Sequence, residues 1–348
     1  MVEAEAETYM NNKDRAGVLH LLQADDESTW KLGYFDHAAE PVLHVESGDR
    51  IRYESIPSGY GGNSASVRTV EDAMALRSRF PEWGPHTVVG PVSVEGAVPG
   101  DVLEVRFQDL IPASPAVNVC LPGELGLGSK PAEYPDGFVR RFEFERDATS
   151  VQLNDDVSIP LAPFPGIVAV QPGEPGSHST MPPGVFGGNM DLKDLTAGSR
   201  LFLPVHQPGG MLYVGDFHAG QGDGEVNLQA LEMGAERLDV QVLLHSKEHI
   251  GLVSPIAETR DEWIILGFGS DIDSAFQDAL GNVLRFLTSK ADQTADDAYC
   301  LASVAIDFRM TQVVSTVKGV HGVIPKSVFG SRITERLEGL FGQFPSGD

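Results

Sequence analysis

The patterning of the chain predicts a mainly β fold, with a β-sandwich or barrel-like body and an α+β segment at the C-terminal side. Three observations carry this. Thirty-eight Gly and 23 Pro cut most of the first 260 residues into short segments. The runs between them alternate apolar and polar side chains or are rich in β-branched residues. Extended amphipathic helical periodicity is confined to the last third.

Taken in order, strands are expected at 41–45, 50–54, 102–107, 167–170, 201–205, 211–214 and 238–244, with one short helix at 70–79. Pro208-Gly209-Gly210 between 201–205 and 211–214 reads as the turn of a hairpin. Residues 262–268 read as a buried strand. A helix follows that places Ile272, Ala275, Phe276, Ala279, Val283, Phe286 and Leu287 on one face. A second helix begins near Thr294, where Thr294 and Asp297 form a capping-box-like pair, and runs through Ala298, Leu301, Ala302 and Ala305. Residues 311–317 look like a strand, and the chain after Ile333 like a short helical terminus with a loose end. The organisation expected is a β-rich body over 1–260 that carries the site, an α+β segment over 261–335 packed on it, and a tail over 336–348.

Composition restricts function. Apolar residues at 41% and charged residues at 22% are those of a globular protein. Fifty Asp and Glu against 25 Lys and Arg leave a formal charge of −25. Such a surface repels phosphate backbones, anionic membranes and anionic substrates, which argues against nucleic-acid or membrane partners and favours a small neutral substrate. Cys120 and Cys300 form no Cys-x-x-Cys motif and read as reduced, buried thiols. The first seven residues, Met1-Val2-Glu3-Ala4-Glu5-Ala6-Glu7, are acidic where a signal peptide is basic, and no run of 18 apolar residues exists. A cytoplasmic location is the expectation.

Chemistry concentrates in two pieces. One is Gly187-Gly188-Asn189-Met190-Asp191. The other is Gly215-Asp216-Phe217-His218-Ala219-Gly220-Gln221-Gly222-Asp223-Gly224-Glu225. Asp216 and His218 are two apart, so an extended strand presents both on one side. Glu225 follows a glycine-rich turn able to fold back toward them. Carboxylates with one imidazole suit a divalent ion such as Zn²⁺, Ca²⁺ or Mn²⁺. Such an ion lowers the pKa of bound water to about 7 and polarises an amide carbonyl. Spacing alone fits a plain loop region equally well, with Asp and Gly gathered because turns need them. His86, in Gly84-Pro85-His86-Thr87, is an outer candidate that also reads as a locally bonded loop histidine. Ser177, His178 and Ser179 lack a nucleophile elbow and read as a polar loop. His245 and His249, flanking Ser246-Lys247-Glu248, read as an exposed turn.

Taken together, these pieces resemble the acetamidase/formamidase family. The likeness runs through Gly33-Tyr34-Phe35-Asp36, residues 41–49, Gly84 to Pro91, Glu95 to Val105 and Pro163-Phe164-Pro165-Gly166. It continues through the two acidic pieces, Leu203-Pro204-Val205, Asp297-Ala298-Tyr299 and residues 318–329. The family's early His-Trp-Gly appears here as Thr29-Trp30-Lys31-Leu32-Gly33, without its histidine. The resemblance implies hydrolysis of a short amide, formamide- or acetamide-like, to ammonia and a carboxylate. It also implies a homo-oligomer, dimer or higher. It assigns Asp191, Asp216, His218 and Glu225 to one or two divalent ions, Zn²⁺ or Ca²⁺ with Mn²⁺ as an option. Glu225, Asn189 and Asp191 become the catalytic candidates. Glu225 would relay the proton, and Asn189 would donate to the oxyanion or orient the amide. A larger or cyclic amide, a purely structural ion, and a non-catalytic metal- or carbohydrate-binding β-domain are the alternatives.

Overall fold

A computed structural model describes residues 17–80 and 84–345. The acidic stretch before residue 17 and the end of the tail therefore lie outside the described residues. The strands that build the site and its scaffold are, in chain order, β1 (Arg50–Ile56), β2 (Thr87–Val94), β3 (Val102–Cys120), β4 (Phe164–Ala169), β5 (Gly187–Asn189), β6 (Arg200–Pro204), β7 (Leu212–His218), β8 (Glu232–His245), β9 (Ile256–Glu258), β10 (Glu262–Gly269), β11 (Asp307–Gln312) and β12 (Lys318–Pro325). All belong to one 16-stranded sheet, ordered β5-β4-β7-β8-β3-β6-β9-β10-β12-β11, with β1 paired to β8 and β2 to β7. The helices are α1 (Val70–Ser78), α2 (Ile272–Ser289), α3 (Ala295–Val304) and α4 (Ser331–Phe341). The mainly β class is as expected, and the sheet runs on through β9 and β10 on either side of residue 260.

Two strand readings need correction. Segments 201–205 and 211–214 do not form a hairpin. β6 pairs with β3 and β9, whereas β7 pairs with β4, β2 and β8. The intervening loop turns locally, with Gly210 N donating to Gln207 O, but docks on other elements and does not join β6 to β7. Gly209 N donates to Ala97 O, Val94 N donates to Gly209 O, and Gln171 N donates to Gly210 O. Segment 311–317 is not one strand either. β11 ends at Gln312, whose side-chain oxygen accepts from Val314 N and Ser315 N while its nitrogen donates to Val317 O. The side chain closes a turn, and β12 then runs antiparallel to β11.

α2 lies where its pattern places it. Asp271 and Ser274 close a reciprocal capping box, and Ala275, Ala279, Val283, Phe286 and Leu287 are buried against the sheet. Gly267 of β10 permits this approach, since a Cβ there would sit 2.1 Å from Ala279 N. At α3, Thr294 caps Asp297 N, and its hydroxyl donates to the Asp297 carboxylate. Cys120 is buried as expected, but Cys300 is exposed, because it falls on the outer face of α3.

The body has one large apolar core, and a second core gathers Phe202, Trp263, Phe286, Leu337 and Phe341 under the helices. Between them lies a buried charge network. The Arg200 guanidinium contacts Glu104 at 3.2 Å and Glu258, and it donates to the carbonyls of Phe341 and Gly342, both at 2.9 Å. His245 and Arg106 bind the same Glu104, each at 2.6 Å. His245 is therefore buried at the end of β8 and not part of an exposed turn. Its charged neighbours are exposed, but strand alternation turns the imidazole inward. Burial pushes the Glu104 carboxyl up, yet the His245 hydrogen bond and the charges of His245, Arg106 and Arg200 outweigh it and hold it at about 2.

A carboxylate depressed in this way contributes stability that is full above its ordinary value of 4.5 and lost as pH falls through about 2. Urea unfolding across that window should show Glu104→Gln losing less stability on acidification than the parent protein. Arg200→Ala removes one partner from each of two buried carboxylates, Glu104 keeping His245 and Arg106 and Glu258 keeping Lys326, and should lower unfolding free energy by about 1–3 kcal/mol at neutral pH.

Candidate active site

Four neighbouring strands, β5, β4, β7 and β8, and one loop assemble the acidic cluster. β4 occupies the middle, paired with β5 through Ile167↔Asn189 and with β7 through Phe164↔His218 and Ile167↔Gly215. Asp191 follows β5 directly, and its backbone N donates to Gly166 O at 3.1 Å. β7 delivers Asp216 and His218, and His218 stands opposite Glu232, the first residue of β8. Glu225 arrives from the loop between β7 and β8. That loop is tied down three times: Gln221 Nε2 donates to Asp191 O at 2.8 Å, Lys193 pairs with Asp223 at 2.9 Å, and Gly224 bonds the backbone of Thr311 and Val313. Asp191 and Asp216 thus converge as expected, but through β4 and not through a hairpin.

The ligand-type atoms fall into two triples, Asp191–Asp216–His218 and His218–Glu225–Glu232, with all atoms of each triple within 4.8 Å of one another. His218 is common to both. It is fully buried, and its Nε2 lies 3.4 Å from Asp216 Oδ2 and 3.2 Å from Glu232 Oε2, yet at angles that make no ring hydrogen bond. Neither Asp191 carboxylate oxygen has a hydrogen-bond partner, and Asn189 Oδ1 has none. Buried polar atoms are rarely left so, and here they gather around one point. Asn189 Nδ2 donates to Met181 O at 3.3 Å, leaving its oxygen as the acceptor on offer. His86 is buried, with Nδ1 on Thr180 Oγ1 at 3.0 Å and Nε2 3.9 Å from Asp216, at the edge of the cluster. His178 bonds Glu174 O within a short strand pair, outside this constellation.

Backbone conformation marks the same residues. Asp191, Asp216 and Glu225 have φ of 53°, 54° and 47°, a left-handed region that side-chain-bearing residues rarely occupy. Such strain persists where the surrounding structure over-determines it, characteristically at functional sites. Gly166 clears the floor. A Cβ there would lie 2.7 Å from His218 Cε1 and 2.8 Å from Asp191 Oδ1.

The electrostatics follow from crowding. Burial, and then the neighbouring carboxylates, push Asp191 and Glu225 well above the usual carboxylate range. Asp216 goes the other way: burial opposes ionisation, but His86 and His218 outweigh it and hold the carboxyl at about 2. Burial disfavours the His218 cation, yet Glu232 and Asp216 raise its pKa well above the ordinary histidine value. Four carboxylates share one imidazole at the centre, a donor set of hard oxygens and one borderline nitrogen that suits a divalent cation. Glu232 was not singled out in the sequence. Its only local signal is a lone charge between Leu231 and Met233 at a strand head.

Residues 24–177 and 173–331 match the acetamidase/formamidase family. The chain belongs to the acetamidase/formamidase family. Among family relatives, the formamidase of Methylophilus methylotrophus is 25% identical over 370 residues, spanning 86% of this chain and 89% of that protein. The acetamidase of Mycolicibacterium smegmatis is 30% identical over 260 residues, 57% of this chain. The match spans 62% of that acetamidase and 64% of a Schizosaccharomyces pombe relative, so less than two thirds of either. The crystal structure of the Yersinia enterocolitica acetamidase superposes with a TM-score of 0.81 at 25% identity, covering 95% of this chain and all of that one.

The cluster holds like charges together at the expense of stability. In chelator-treated protein, Asp191→Asn should therefore raise the urea-unfolding free energy by on the order of 1 kcal/mol or more, the scale of one pKa unit. An unchanged or lower value would mean the carboxylates are not in conflict.

Proposed function

We propose that this acetamidase/formamidase family member hydrolyses a short linear carboxamide to ammonia and a carboxylate, at a site that holds one or two divalent ions, Zn²⁺ or Ca²⁺ with Mn²⁺ also suited. The observation that carries the proposal is the convergence of Asp191, Asp216, Glu225 and Glu232, which line one cavity, on the buried His218, with unpartnered ligand atoms on Asp191 and His218. Asp191, Asp216 and His218, with Glu232 beside His218, would hold the ion. A divalent ion there supplies Lewis acidity toward the amide carbonyl and acidifies water. With Glu232 completing the ligand set, Glu225 is released for proton work.

The chain's own groups account for the rest. Glu225 lines the cavity and, ionised once a cation offsets the neighbouring carboxylates, would take a proton from the attacking water as its oxygen joins the carbonyl carbon. It returns that proton to the nitrogen as the C–N bond breaks, so ammonia leaves and the acid remains. Asn189 Oδ1, an acceptor without a partner, receives an N–H of the amide and fixes which way the carboxamide enters. His86, held by Thr180, faces Asp216 and keeps that carboxylate in place. A formal charge of −25 favours a neutral substrate over anions and favours departure of the carboxylate product.

Elemental analysis together with ammonia release from acetamide and formamide tests this directly. His218→Ala should lose both the ion and turnover. Glu225→Gln should retain the ion while kcat falls about 10²–10⁴-fold. Gly166→Ala, which drives a methyl between His218 and Asp191, should also lose the ion. Undiminished ammonia release from ion-free His218→Ala protein would end the metal half of the proposal. Bound ion with no turnover of any amide would end the hydrolytic half.

A further inference from the structure

The acidic cluster forms only one end of its cavity. Away from Asp191, Asp216, Glu225 and Glu232 the lining is mainly apolar, with Val67, Ala73, Leu76, Val117, Val119, Leu121 and Leu228, and it also carries Tyr60, Ser64, Arg77 and Gln229. Val67, Ala73, Leu76 and Val117 are all less than a tenth exposed, whereas Val119, Leu121 and Leu228 are half-buried. The cavity measures about 100 Å³. On that measure one water occupies about 10–15 Å³. Acetamide brings a single methyl group beyond its amide, and formamide none. Either would leave most of the apolar wall facing water, which such a surface holds poorly.

Resting on the hydrolytic reading above, we infer that the substrate is a primary carboxamide whose acyl group is apolar and longer than that of acetamide, a chain of four or five carbons or a phenylacetyl group. The amide enters against Asn189 and Glu225, and the hydrocarbon lies along the face built by α1 and the end of β3. The polar end fixes the reacting bond, and the apolar end sets the preference among amides. Discrimination follows from burial, since each methylene removed from water tightens binding about fourfold.

A homologous series reads this out. For the holoenzyme, kcat/KM should climb about fourfold per methylene from acetamide through propanamide and butanamide to pentanamide, and phenylacetamide should exceed acetamide at least tenfold. Ala73→Phe, which fills the cavity from α1, should cut the pentanamide-to-acetamide ratio at least tenfold. Leu121→Ala, which removes wall and places no new bulk, should flatten the series. Calorimetric binding of the same amides to Glu225→Gln protein gives a second readout that needs no turnover. A binding series that rises with chain length supports the pocket even if the parent protein releases no ammonia, in which case the hydrolytic reading alone fails. A series that is flat or falls from acetamide onward, in binding and in turnover, overturns the inference.

Discussion

Crowding four carboxylates, two of them buried, around one buried imidazole is the demand that the rest of the architecture answers. Asp191, Asp216, Glu225 and Glu232 repel one another, and water that would screen them is largely excluded. Left to themselves, such side chains would splay toward solvent. They are prevented by backbone and not by mutual attraction. Asp191 is pinned through its N–H to Gly166 O and through its carbonyl to Gln221. Asp216 and His218 sit on a strand bonded on both edges, and the Glu225 loop is tethered to β11. Three of the four carboxylates occupy a left-handed backbone well. Each imposes a conformational cost of order 1–3 kcal/mol that the surrounding sheet absorbs.

That absorption explains the division of labour between the two halves of the interior. The site lies toward the β5 end of the sheet, while the second core and the Arg200 network lock the helices onto the far strands. The two charge assemblies are built on opposite principles. Around Arg200, cations and carboxylates are balanced and every contact satisfies another. Around His218 the balance is deliberately incomplete, and unmatched acceptors face a cavity. One assembly is a fastening and the other is a receptor.

Local pattern in the sequence was enough to place the pieces but not to join them. Alternation gave most strands, and the apolar stripe of α2 was legible because a helix reports its buried face every three or four residues. Asp216 and His218 were legible as a pair because two residues on one strand share a side. The route that brings Asp191 to them was not, because β4 is buried along its whole length and carries no alternation to show which neighbours it joins. Glu232 shares this difficulty. Its place opposite His218 depends on a pairing made across a loop, and nothing within a few residues of it announces the partner. His245 misleads for a related reason. Its immediate neighbours are charged and exposed, whereas its own partner, Glu104, lies 141 residues away. Resemblance to a family could nominate ligands, but register is a property of the assembled sheet.

The fastening by Arg200 has a consequence for how the protein is made. Two of its donors end on the carbonyls of Phe341 and Gly342, 141 and 142 residues further along the chain. At a ribosomal pace of about 5–20 residues per second, that interval lasts on the order of ten seconds. Throughout it, β6 can settle between β3 and β9 with Glu104, and then Glu258, beside the guanidinium, but two of its donors still lack their carbonyls. The seam between β6 and α4 therefore closes only after residues 341 and 342 have been made, so its last two hydrogen bonds are the latest to form.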